Sequence, residues 1–295
     1  MLFYRTCTSP SVRRIPFMTA PQDGFRRFGQ EVATDVSGPP TSLSSLAEVA
    51  VPLQVGPYFI TDADDAVRLE EYADAVGRRV VQESCADWAR LGSDRGFEIC
   101  ADREGVVHAV LLDWNEGLRF VNAAPELFAE SLLALDQALA TILGTDEPRT
   151  ASAAYAELEQ RLRSIDPRAF EGREHWWPLV LDDIRDTASA EWFTAFEIVD
   201  GQGEKQILTQ AGDIGVHPEE RLWGRLRAAG VEPEQVLRIH TELEACFMPG
   251  HYCSLWLGQV FPEAQLTHNF PYGETAESRA EGIRQLREAA AQQPQ

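Results

Sequence analysis

His217 and Glu219 flank Pro218, Cys246 follows 27 residues after Glu219, and Cys253 lies seven positions further on. One imidazole and two thiolates make a zinc ligand set. With three protein ligands the fourth tetrahedral position stays open to water, whose pKa bound zinc lowers toward neutrality. A carboxylate two residues from the first ligand, held off the metal, suits proton transfer during attack on the amidine carbon of a base. The chemistry that needs this set is hydrolytic deamination, with His217, Cys246 and Cys253 holding Zn2+ and Glu219 moving the proton. The second half departs from the tighter P-C-x-x-C pattern, because six residues separate the cysteines and Ala245 precedes Cys246.

Blander readings compete: a surface histidine, core thiols, and His251 between the cysteines as a replacement ligand. His240-Thr241-Glu242 also spells H-x-E, but Cys246 is only six residues beyond His240 with no helix between. His240 therefore reads as packed in a strand or lining the pocket. Trp223 reads as a core residue or as a stacking surface. These two are the candidate substrate-contacting residues.

The elements that must position the four residues follow from local pattern. Pro218 suits the first turn of a helix, which places His217 at its start and Glu219 inside the same turn. Cys246 follows a strand over 236–243. Cys253 opens a helix over 253–260, where a helix N-terminus favours a thiolate. Strands over 192–199 and 205–209 precede the His217 helix, and a strand over 265–270 and a helix over 275–290 complete a β-β-α-β-α-β-α run, an α/β layered domain. The order before it differs. Residues 1–45 read as mostly loop, with Gly38-Pro39-Pro40-Thr41 as a break, and 62–77 has helical spacing. Strands at 97–100, 106–112 and 118–121, joined by the turns Arg103-Glu104-Gly105 and Asn115-Glu116-Gly117, form an antiparallel meander. Helices over 125–143, 151–165 and around Trp176-Trp177 follow, and the boundary falls near 180–190.

Composition narrows the partners. Of 295 residues 44% are apolar, enough for a real core, and the net charge is −21 with a pI near 4.6. That charge argues against tight, salt-dependent binding to long nucleic acids, which rests on neutralised phosphates, and it suits a basic protein partner. Five cysteines, an odd number, argue against a disulfide framework. Arg5, Arg13 and Arg14 lead into no apolar run, so a signal peptide is not expected and Met18 is an alternative start. No long uninterrupted apolar window is present, so a cytoplasmic protein without a membrane span is expected.

Two resemblances extend this reading. Arg238 to Cys246, Pro249-Gly250-His251-Tyr252-Cys253 and Phe270-Pro271-Tyr272-Gly273 resemble the nucleic acid/nucleotide deaminases of bacterial polymorphic toxin systems, over roughly 185–292. This implies a cytidine-deaminase-like fold, His217, Cys246 and Cys253 as zinc ligands, Glu219 as proton shuttle, and a nucleotide or single-stranded nucleic acid as substrate. Residues 97–135, with Trp176-Trp177, are similar to SUKH-superfamily immunity proteins. Over 46–180 this implies an α+β protein-binding domain without catalytic residues, which on its own would fold and capture a basic protein, a toxin or the chain's second domain. The alternative is a non-catalytic immunity or regulatory protein carrying a degenerate deaminase fold.

Overall fold

A computed structural model describes residues 24–28, 43, 46, 48–62, 67–115 and 117–292. The proline break at 38–41, residues 63–66 of the expected helix over 62–77 and Glu116 of the second meander turn lie outside them.

The chain opens on β1 (Phe25–Arg27), which pairs antiparallel with β2 (Ala50–Pro52). This strand lies inside the stretch expected to be loop. Its inward positions are Arg26 and Phe28; the Arg26 guanidinium donates to the Thr61 hydroxyl at 2.8 Å and lies over the Phe28 ring. An inward arginine removes the apolar alternation by which a strand is read. Then follow β3 (Gln54–Val55), β4 (Phe59–Ile60), α1 (Leu69–Ala75), β5 (Ala89–Ser93), β6 (Glu98–Ala101), β7 (Val107–Val110) and β8 (Arg119–Asn122). Strands β3 to β8 form a six-stranded antiparallel meander in chain order. It is wider than the three strands expected. β3 and β4 are too short to alternate, and β5 carries a buried Arg90–Glu98 ion pair at 2.7 Å with the guanidinium over Tyr72.

α2 (Pro125–Gly144) packs against the meander, and α3 (Pro148–Ile165) packs on α2. α2 is long and apolar enough to cross a membrane, yet Phe128, Leu132, Leu135 and Leu139 on it are buried in the first core. α4 (Trp176–Ser189) serves both halves of the chain. Trp176, Trp177, Val180, Leu181 and Ile184 belong to the first core, whereas Leu179 belongs to the second.

The second half runs β9 (Phe193–Val199), β10 (Lys205–Ala211), α5 (Pro218–Ala228), β11 (Val236–Leu243), α6 (Cys253–Val260), β12 (Gln265–Phe270) and α7 (Ala276–Gln292). Its sheet order is β10-β9-β11-β12, with β11 and β12 parallel and the other neighbours antiparallel. The molecule is thus an α+β part built on an antiparallel meander, followed by an α/β layered part. Every expected element of the second part forms close to its expected bounds.

The two parts are packed together. Tyr252 of the second half lies in the left-handed region (φ 43°) immediately before α6. A tyrosine there is strained by about 1–3 kcal/mol. The first half over-determines it: the Tyr252 hydroxyl donates to Asp94 at 2.7 Å, and its ring stacks on Phe97 at 5.1 Å. Gly96 is what lets the ring approach, since a Cβ there would sit 2.2 Å from it. The Asp94 carbonyl also accepts the Gly250 N–H at 2.9 Å, and Arg119 donates to the Phe247 carbonyl at 3.3 Å. Every one of these contacts falls on the 247–252 segment between the two cysteines.

Candidate metal centre

Three separate stretches of chain deliver the donors. His217 is the residue before α5, extended (φ −75°, ψ 145°) because Pro218 follows it, and its ring reaches inward. Cys246 lies three residues past the end of β11, and Cys253 is the first residue of α6. The structure brings all three together: their donor atoms lie within 4.8 Å of one another, with His217 Nδ1 at 3.4 Å from each sulfur.

That spacing tests whether zinc fits. A tetrahedral ion about 2.3 Å from sulfur and about 2.0–2.1 Å from nitrogen puts N and S roughly 3.5 Å apart. Both observed separations agree with this, and both thiols are free, so the donor set suits the ion. Glu219, in the first turn of α5, stands off from the cluster, with its Oε2 3.9 Å from Cys253 Sγ. All four residues are at most 3% exposed.

The charges are arranged for a cation. Burial alone would raise the Cys246 thiol, but the donating Cys253 thiol and His217 outweigh it and bring Cys246 well below the usual thiol range. Burial and the Cys246 thiolate push Cys253 well above it. Burial disfavours charge on His217, yet Cys246 and Asp183 raise it well above an ordinary imidazole. A buried thiolate beside a charged imidazole is the state from which a divalent ion displaces protons. Burial also lifts Glu219 to about 7, so it can hold or release a proton near neutral pH.

His251 has another place. Its ring lies parallel to His217, centroids 4.0 Å and planes 7° apart, with Nδ1 2.9 Å from Glu220 and Nε2 3.2 Å from Asp183. Asp183, His217 and His251 also converge closely enough to suggest an ion among them. In stacked parallel rings, however, the lone pairs run side by side, and both nitrogens of His251 face carboxylates, so this group reads as an ion-paired cluster. Burial and His217 act to lower His251, but Asp183 and Glu220 carry it from 6.5 up to about 9. A proton bound more tightly in the folded state stabilises it fully below the unfolded pKa, and this is lost as pH rises through the folded one. In zinc-free protein, the stability of wild type over His251→Gln should therefore be about 3 kcal/mol larger below about pH 6.5 than above about pH 9. Thermal melts of both proteins across this range check it; a gap that ignores pH would exclude the ion pairs as its source.

The other two candidates make their contacts elsewhere. His240 lies in β11 between Ala195 and Thr267, its Nδ1 3.0 Å from the Thr267 hydroxyl. Trp223 packs edge-on against Phe261 in the second core. Trp192 was not foreseen at the site: its ring meets His217 edge-on at 5.7 Å, and it lines a cleft of about 290 Å³ with Thr187, Glu191, Gly212, Asp213 and Ile214. Asp183, Tyr58 and Glu220 were also missed. Asp183 did carry a signal, since it falls on the same helical stripe as Trp176, Val180 and Thr187, where an acidic residue needs a partner.

One buried imidazole and two buried cysteine sulfurs, with a carboxylate beside them, thus sit together on a mixed four-stranded sheet. Residues 190–289 match the Xanthomonas-like deaminase family, and residues 19–183 match the SUKH-4 immunity protein family. The second match spans more than half of the chain, which therefore belongs to the SUKH-4 immunity proteins, with a deaminase-family domain behind it. Neither the curated proteins nor the solved structures contain a match.

Proposed function

We propose that the second half removes the amino group of a nucleobase by zinc-dependent hydrolysis, and that the first half is its attached immunity or binding domain in a bacterial toxin–immunity system. The observation that carries this reading is the pair of 3.4 Å separations between His217 Nδ1 and the two sulfurs, with Glu219 standing off the cluster. When bound, zinc would supply an activated water. His217, Cys246 and Cys253 would hold the ion, and the burial of all three keeps bulk water away. Glu219 would take a proton and pass it to the departing amine, so that water and the amino compound become a carbonyl and ammonia. The base would approach by the cleft lined by Trp192, whose ring separates it from His217. The net charge of −21 favours a free nucleotide or a short single strand over long nucleic acid.

The domain division in this reading is a binding domain over 46–180 and a catalytic domain over 185–292, with α4 common to both. The partner reading gains support from the docking of the first half on the second. A second reading, a non-catalytic regulatory protein, is favoured by one observation: nothing in the donor set is more than 3% exposed, so substrate reaches it only if the covering residues move. Ammonia release from a panel of nucleosides, nucleotides and single-stranded DNA and RNA, with and without a chelator, decides between them. Chelator-sensitive turnover of one class is expected. Zinc-loaded protein inert on every class would favour the regulatory reading.

A further inference from the structure

Asp183 is fully buried, and three groups from different parts of the chain meet on it. His217 Nε2 lies 2.9 Å from its Oδ1, His251 Nε2 3.2 Å from its Oδ2, and the Tyr58 hydroxyl donates to Oδ2 at 2.7 Å. Tyr58 lies in the turn between β3 and β4, so it belongs to the meander, and Asp183 lies on α4 among residues of the first core. His217 therefore spans two environments. Its Nδ1 faces the sulfurs and its Nε2 faces a carboxylate that only accepts hydrogen bonds. A proton on Nε2 leaves the Nδ1 lone pair directed at the cysteines.

We propose that Asp183 is a positioning residue for the metal centre, fixing the ring orientation and the Nε2–H tautomer of His217 from the immunity half of the chain, so that the deaminase half is not complete in itself. The inference rests on the zinc reading above. The Tyr58 hydroxyl and the His251 ring both lie at the second carboxylate oxygen, which leaves Oδ1 to His217. Glu220 holds His251 in turn at 2.9 Å. Carboxylates behind ligand histidines commonly change metal affinity by about 10–100-fold when replaced.

The test uses full-length protein. Asp183→Asn keeps the side chain's size but offers Nε2 a weaker acceptor. Zinc affinity, measured by competition with a chromophoric chelator, should fall about 10–100-fold. The visible bands of the cobalt-substituted protein should shift, because the imidazole sits differently against the two thiolates. Tyr58→Phe removes a hydroxyl from Asp183 without touching either histidine; it should lower the melting temperature and leave the cobalt bands in place. In zinc-loaded wild type, nitrogen NMR of the histidines should show His217 protonated on Nε2, a measurement that needs no variant to fold. Zinc affinity unchanged in Asp183→Asn, a Tyr58→Phe protein that loses zinc equally, or His217 protonated on Nδ1 would each overturn the assignment. Wild type that binds no zinc would overturn the deaminase reading along with it.

Discussion

Glu219→Gln should lower deamination at least about 10²-fold, the low end for general acid–base catalysis, while zinc content stays at about one ion per chain, as a three-ligand site implies. Glutamine fills the same buried volume in the first turn of α5 and leaves His217, Cys246 and Cys253 in place, but it cannot take up a proton. Burial holds Glu219 at about 7, where protonated and ionised forms are both populated at neutral pH. A proton shuttle must alternate between those forms. The measurement is ammonia release under saturating substrate, alongside metal analysis of the same preparation. Equal activity in the variant would reduce Glu219 to a residue that merely begins a helix.

Cys253→Ser should strip the metal almost completely. Cys253 is wholly buried at the start of α6, and its sulfur lies 3.4 Å from His217 Nδ1. A serine hydroxyl stays protonated at neutral pH and does not replace a thiolate. Because the site forms only in folded protein, zinc binding adds to folding free energy. Added zinc should therefore raise the melting temperature of metal-free wild type and leave that of Cys253→Ser where it is. A variant that binds one zinc and shows the wild-type shift would remove Cys253 from the ligand set.

The second half was far more legible in the sequence than the first. β9, α5, β11 and α7 carry regular apolar spacing and the joining turns are clear, and His217, Cys246 and Cys253 announce themselves by residue type, since imidazole and thiol are rare. The first half hides its strands behind charge. Arg26 points inward in β1, Arg90 in β5 is neutralised by Glu98 on the next strand, and β3 and β4 have two residues each. No periodicity survives in such segments; only the pairing partner, distant in sequence, makes them strands. The same limit applied to the site. Glu219 could be read from its distance to His217 along the chain, whereas Asp183 and Tyr58 reach the cluster from 34 and 159 residues away, through tertiary packing alone.

α4 gives the molecule an unusual seam. On one flank it carries Trp176, Trp177 and Val180 into the first core. On the other, Leu179 enters the second core and Asp186 accepts the Tyr272 hydroxyl at 2.8 Å, while Asp183, on the edge between the two flanks, meets His217. Recombination that exchanged the two halves as independent cassettes would have to cut within fourteen residues that both require. Either product would then lack a wall of its own. A lineage could trade the deaminase domain for another only if the newcomer recognised the same helix face, so Leu179, Asp183 and Asp186 act as a compatibility key between the immunity half and whatever follows it.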